Sequence, residues 1–297
     1  MGVVMKCRIF MITALAALAV CGCSDSDDFV VPSQGGTSLT IELESGRTYL
    51  GESVDGIRPV YWSSGDCIKA NDLTSSEAKI DEENAQVAVF EFETKLTYPC
   101  NVLYPSTIYK NATTVTLPSV QNAAVNGTIA TNTLPMATCV NEEGSRLKLH
   151  HLTGVIHLQL RACDDEWSDK VRIIEFWGGS EDPESSNVPH EQVSGDFTID
   201  YETATLTSTS SEKSAQKVCV LVTGELYTDR LTDVFIVVPA QEYKDGFTVR
   251  VMNEDGQYLD KTKPSSQSVA KGEIIKMPEI QFIPTNTKID IEIPSGQ

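Results

Sequence analysis

Three features of the sequence predict an all-β protein. Apolar and polar residues alternate over short stretches, turn residues lie between those stretches, and no stretch holds a 3.6-residue apolar period over three turns. The first alternation is Leu39, Ile41 and Leu43 against Thr40, Glu42 and Glu44. The same period of two returns at Val87–Phe92, Val115–Leu117, Leu147–Leu149, Val155–Leu160, Val171–Phe176, Phe197–Ile199, Val218–Val222, Val234–Val238, Phe247–Val251 and Ile289–Ile293. Between them stand Ser63-Ser64-Gly65-Asp66, Asn126-Gly127, Asp245-Gly246 and Glu254-Asp255-Gly256, residue types that tolerate the dihedrals of tight turns. Helix candidates are all short, such as Ser75–Ile80 or Asp164–Asp169. Many short strands joined by turns predict antiparallel β-sandwiches.

These strands outnumber those of one sandwich of about 100 residues. The polar run after Ala162 separates two strand-rich halves, so domains are expected at 37–162 and 163–283, followed by a tail over 284–297. The halves echo each other. Val115–Leu117 and Phe235–Val238 each run into a proline and then a glutamine (Pro118 with Gln121, Pro239 with Gln241), the proline falling where no ladder donor is needed.

The amino end has a different character. Lys6 and Arg8 precede an apolar run from Ile9 to Val20 that ends in small residues, the layout of a secretory signal. As a helix the run reaches about 18 Å against roughly 30 Å of hydrocarbon, so residues 1–22 are expected to be cleaved rather than to span a membrane. The segment Val20-Cys21-Gly22-Cys23 resembles the lipobox of bacterial lipoproteins, with Cys23 as the lipidated first residue. Val20 is too bulky to precede a cut at Cys21. A lipoprotein cysteine carries two or three acyl chains, and more than one chain makes membrane attachment effectively permanent. The alternative is a plain secreted protein in which Cys23 is incidental. Residues 23–36 then form the lipidated cysteine and a flexible acidic tether, Ser24–Asp28 carrying three aspartates. That acidic run resembles the surface-export signal of Bacteroidales lipoproteins.

Residues 1–22 hold two bases and no acid, so their removal takes the formal net charge from −19 to −21. Such a chain repels nucleic acid and anionic lipid, and it contains no basic cluster to offset the repulsion. Beyond Cys23, cysteines 67, 100, 139, 163 and 219 are odd in number and form no CxxC pair, which reads as small buried thiols on strands. No nucleophile elbow, phosphate loop, HExxH or GxGxxG occurs, so neither an enzyme nor a cofactor is expected. His151 and His157 would share a face of a continuous strand but lie about 20 Å apart, too far to bind one metal. A structural role is expected for the histidines.

Several stretches together resemble the fimbrillin family of Bacteroidales, the subunits of protease-assembled type V pili. They are Gly46-Arg47-Thr48-Tyr49-Leu50, Val60-Tyr61-Trp62-Ser63-Ser64-Gly65-Asp66, Val102–Ser106, Leu117-Pro118 with Gln121, and Leu149–Leu152 leading into Ile156–Leu158. The second half adds Val238–Gln241, Gly246–Val249 and Met277–Ile280. The resemblance implies two tandem transthyretin-like sandwiches, other fimbrial subunits as partners and an outer-membrane location. It also implies removal of an amino-terminal strand by an Arg-specific protease and capture of a neighbour's strand in the vacated groove.

On that pattern the cut falls at Arg47 and Thr48, the removed strand carries Leu39, Ile41 and Leu43, and the inserting strand is 287–294 with Ile289, Ile291 and Ile293 on one face. Each has an ordinary alternative: Arg47 as an exposed turn arginine, and 287–294 as an edge strand of its own domain. Read physically, Trp62 supplies an apolar plug at a sandwich end, Gly65 the positive φ of the turn, and Asp66 an acceptor for turn amides. The first function expected is a lipidated fimbrial subunit supporting surface adhesion. The second is a monomeric surface lipoprotein whose sandwich loops bind a glycan or a host protein. Free or donated tail residues separate the first from the second.

Overall fold

The computed structural model describes residues 36–43, 61–124, 128–129, 133–144, 146–163, 171–223 and 226–285. Outside these lie the signal segment, Cys23 and its tether, Arg47 and Thr48, the Asn126-Gly127 turn, the 164–169 helix candidate, and the tail strand with Ile289, Ile291 and Ile293. Among the described residues the structure is strand and turn, with short 3-10 turns at Ser106–Ile108 and Lys213–Gln216. The all-β prediction is met.

The first twelve strands are β1 (Thr37–Leu43), β2 (Lys69–Ala70), β3 (Leu73–Thr74), β4 (Lys79–Ile80), β5 (Val87–Phe92), β6 (Cys100–Tyr104), β7 (Tyr109–Asn111), β8 (Thr114–Leu117), β9 (Val120–Ala124), β10 (Thr128–Ile129), β11 (Met136–Val140) and β12 (Leu147–His151). Eight of them form one sheet in the order β3-β2-β6-β11-β12-β1-β5-β4. Its inner face buries Leu39, Ile41, Leu43, Phe90, Phe92, Val102, Met136 and Leu149 around Trp62. Where the sheet runs through β6 and β11 its other face is apolar too, and Leu103 and Ala137 pack there against Val115, Phe197 and Ile199.

The remaining strands are β13 (Thr153–Ala162), β14 (Val171–Gly178), β15 (Gly195–Asp200), β16 (Thr205–Ser208), β17 (Lys217–Val222), β18 (Thr232–Pro239), β19 (Glu242–Tyr243), β20 (Phe247–Asn253), β21 (Tyr258–Lys263), β22 (Gln267–Ser268), β23 (Ile274–Lys276) and β24 (Ile280–Phe282). A six-stranded sheet, β10-β9-β17-β14-β20-β21, faces the β18-β13-β23 sheet, in which β24 also pairs β13. Ile156, Leu158, Leu160, Phe176, Val220, Ile236, Val249 and Phe282 fill the space between them. β13 and β18 turn alternate residues into this core, while Val155, Phe235 and Val237 on their other face are buried with Leu134 in a smaller cluster.

Backbone ladders join the two sides of the 162/163 division. β8 pairs β15 in a β16-β15-β8-β7 sheet, β9 pairs β17 in parallel, and β13, which ends at Ala162, pairs β18, β23 and β24.

The Ser75–Ile80 helix candidate is a correction. Its backbone donors are drawn across the fold: Ser75 N–H to Ile68 O at 3.0 Å, Ser76 N–H to Glu91 O at 2.8 Å, and Ala78 N–H to Asp66 O at 2.8 Å. Lys79 and Ile80 then pair β5 as β4. Nor are His151 and His157 on one strand. The chain breaks at Leu152, whose N–H donates to Pro135 O, and the two histidines fall on β12 and β13 in different sheets. His157 Nε2 lies 2.7 Å from Asp233 Oδ1 and its ring stacks on Phe235 at 4.5 Å. The five described cysteines are free thiols. Burial pushes the Cys100 thiol up to about 11 and the Cys219 thiol up to about 12, so both stay protonated and unreactive.

Candidate functional site

β1 is held along both edges. It pairs β5 antiparallel from Thr37↔Phe92 to Glu42↔Val87, and β12 in parallel from Ile41↔Leu147 to Leu43↔Leu149. Leu39, Ile41 and Leu43 are 4%, 0% and 2% exposed, so the alternation read from the sequence places all three in the core. At the start of the strand Thr37 Oγ1 accepts from Leu96 N–H at 3.1 Å. Taking β1 out would leave a slot with a ladder edge on either side and an apolar floor.

Trp62 forms part of that floor. Its indole Nε1 donates to Ile41 O at 3.3 Å, and its ring meets Phe90 and Tyr104 edge-on at 4.9 and 5.1 Å. The turn that follows keeps Trp62 in place. Gly65 adopts φ +91, and Asp66 Oδ2 accepts from Ser63 N–H at 2.7 Å while Oδ1 accepts from Tyr104 OH at 3.0 Å. Burial pushes the Asp66 carboxyl above its ordinary range, against the two hydrogen bonds that favour the charged form.

Polar side chains gather in two further places. A cleft of about 270 Å³ is lined by His150, His151, Glu202, Thr203 and Lys271. Lys271 Nζ braces one wall by donating to Thr203 O at 2.5 Å and Thr205 Oγ1 at 3.2 Å. Lining groups of both charge signs and the Thr203 hydroxyl suit a small polar ligand.

The second place is a charge network on the outer face of the six-stranded sheet. Arg250 is bidentate to Asp260 at 2.8 and 3.0 Å and reaches Asp182 at 2.6 Å, while Lys217 lies 3.0 Å from Asp182 and 3.4 Å from Glu175. Both cations lie over the Trp177 ring. Burial raises the Glu175 carboxyl despite Lys217 and Arg250; Asp182, though partly buried, is held below its ordinary value chiefly by Lys217. Asp182 comes from the connection between β14 and β15, so the network fastens that connection to the sheet. No sequence motif announces this network, because its members come from five separate segments. Among the described residues no group of three His, Cys, Asp or Glu is placed to hold a metal ion.

No protein-family model matches the chain, and no curated protein matches it. Solved structures do resemble it. A candidate cell adhesion protein from Bacteroides ovatus superposes with a TM-score of 0.41 at 14% identity, over 82% of this chain and 93% of that one. A candidate cell adhesion protein from Bacteroides uniformis gives 0.39 at 13% identity, over 82% and 94%. The tip fimbrial protein Mfa3 from Porphyromonas gingivalis, truncated at its C-terminus, gives 0.29 at 9% identity, over 85% and 96%.

Proposed function

We propose that this protein is a non-enzymatic fimbrial subunit, exported as a lipoprotein on Cys23 and assembled at the outer-membrane surface by strand exchange with other subunits, where it supports adhesion. Residues up to Arg47 act as a removable stopper, cut between Arg47 and Thr48, and residues 287–294 of another copy take the vacated place. The observation that carries this reading is the position of β1, paired on both edges and four residues ahead of Arg47 in sequence.

An empty slot is unfavourable. Leu39, Ile41 and Leu43 together contribute roughly 5–9 kcal/mol by burial, and both flanking strands lose ladder partners. Ile289, Ile291 and Ile293 repeat their spacing, so the tail can restore what the cut removes. The test is Arg47→Ala assayed for polymer ladders on gels. Loss of the ladders supports the stopper; unchanged ladders overturn it. Mass spectrometry of the mature amino terminus checks the anchor, since an unmodified amine on Ser24 or later would exclude lipidation.

A second reading, a monomeric surface lipoprotein that binds a glycan or a host protein, is favoured by the polar cleft at His150, His151 and Lys271. It requires the tail to pair within its own chain. A protein that stays monomeric after cleavage, with the tail protected from proteolysis, would select it.

A further inference from the structure

The slot left by β1 carries a pattern of charge on its outward rim. On β1 itself Ser38, Thr40 and Glu42 face outward. Ser38 stands opposite Glu91, Thr40 opposite Val89, and Glu42 opposite Lys148 of β12. Lys79, which pairs Val89 from the far side, binds Glu91 at 2.6 Å. The rim therefore offers a carboxylate where the strand begins, an ammonium one strand beyond its middle, and a second ammonium near its end. Glu91 and Lys79 answer each other, and β1 adds a charge only at the last position, Glu42 opposite Lys148.

The tail sequence Lys288-Ile289-Asp290-Ile291-Glu292-Ile293-Pro294 can be laid against that rim in several ways. Running as β1 runs, with Ile291 in the place of Ile41, it puts Lys288 opposite Glu91, Asp290 on the row of Lys79, and Glu292 opposite Lys148. Pro294 then falls one residue past the end of β1, where no ladder donor is required. A slip of two residues one way puts Pro294 inside the ladder, and a slip the other way replaces one core isoleucine with Thr287. Reversing the strand keeps three isoleucines inward but brings Pro294 opposite Glu91.

We propose that Glu91 and Lys148 set the register and direction of the incoming strand, by pairing with Lys288 and Glu292 of the donor copy. This rests on the strand-exchange reading above and goes beyond it in naming what selects the donor. It also gives the exchange a direction. The tail would bury three branched side chains as β1 does, and it adds Lys288 and Asp290 beside the Glu91–Lys79 pair, where β1 has only Ser38 and Thr40, so the donor strand displaces the original rather than the reverse.

The experiment uses the mature chain with a specific protease site in place of residues 45–48. After cutting, a fluorescent peptide of residues 284–297 is followed by anisotropy as it replaces the freed strand. Lys148→Glu penalises Glu42 of the freed strand and Glu292 of the peptide alike, so the informative variant is the Glu292→Lys peptide. It should exchange into wild-type protein about five- to tenfold less well, as a cross-strand attraction becomes a repulsion. On Lys148→Glu the preference should invert, the Glu292→Lys peptide displacing the freed strand better than the unaltered peptide does. Peptide Lys288→Glu should lose several-fold on wild-type protein, which a reversed strand would not show. If the Glu292→Lys peptide exchanges into wild-type protein as well as the unaltered peptide, or gains no advantage on Lys148→Glu, the register and its selecting residues are wrong while strand exchange stands. If no peptide enters a cut protein that remains folded, strand exchange itself fails, and this inference with it.

Discussion

The side-chain amide of Gln121 stands in for a strand against Val237. Gln121 Nε2 donates to Val237 O at 2.7 Å and Gln121 Oε1 accepts from Val237 N–H at 3.0 Å. One residue of β9 thus satisfies both main-chain groups of a residue on β18, 116 positions away, and ties the two sheets of the second core together. The glutamine two residues after Pro239, its sequence echo, does something else: Gln241 Nε2 donates to Gln192 O at 2.9 Å.

Gln121→Ala should therefore cost about 2–4 kcal/mol, because two buried backbone groups lose their partners at once. Urea unfolding should show a lower midpoint with an unchanged slope. Gln121→Glu should fare no better at neutral pH, since a carboxylate cannot donate to Val237 O.

The buried carboxyl of Asp66 predicts a pH dependence. Its folded pKa is raised above the ordinary value of 3.8, so the folded state holds its proton more tightly than the unfolded state does. Stability from this group is present below 3.8 and is lost as pH rises through the folded pKa. Asp66→Asn can still accept from Ser63 N–H and donate to the Tyr104 oxygen. It should remove that slope at a cost under about 1 kcal/mol, whereas Asp66→Ala should cost about 2–3 kcal/mol. Denaturation midpoints between pH 4 and pH 7 decide.

Arg250→Met should destabilise by about 3–5 kcal/mol, since Asp260, Asp182 and Glu175 are then left close together with one cation fewer. Asp182 is held below its ordinary value, so its contribution in the wild type is present above 3.8 and lost as pH falls through the lowered pKa. The gap between variant and wild type should narrow on acidification. Thermal melts at pH 7 and well below pH 3.8 check this.

Two glycines with positive φ should behave differently. A Cβ at Gly246, φ +73, would lie 1.7 Å from Lys263 O, a backbone atom of the partner strand. At Gly65, φ +91, a Cβ meets nothing within 4 Å. Gly65→Ala should cost only the left-handed conformation, about 1–2 kcal/mol, while Gly246→Ala should cost well over 3 kcal/mol or prevent folding. Soluble yield and melting temperature separate the two.

Much of the fold was legible because a strand with one face in a core must alternate, and alternation is visible in one dimension. Leu39–Leu43 and Leu147–Leu149 were read from that pattern, and the structure places them on β1 and β12 with alternate residues buried. Ser75–Ile80 was misread because a short polar segment has no pattern of its own. Its backbone donors go to Ile68, Glu91 and Asp66, partners that only the packed chain supplies. The Trp62–Asp66 element was legible as a plug and a turn, but its contact with Ile41 was not, since no local rule links residues 21 positions apart.

By itself the sequence determined the β class, most strand positions, the turn at Gly65 and the matching apolar spacing of 39–43 and 289–293, because each depends on neighbours in the chain. Only the tertiary structure decided that β1 lies between β5 and β12, that β9 crosses to pair β17, and that Arg250 and Lys217 share carboxylates over Trp177. Those depend on which strands pair, and pairing is decided by the joint burial of side chains drawn from across the whole chain.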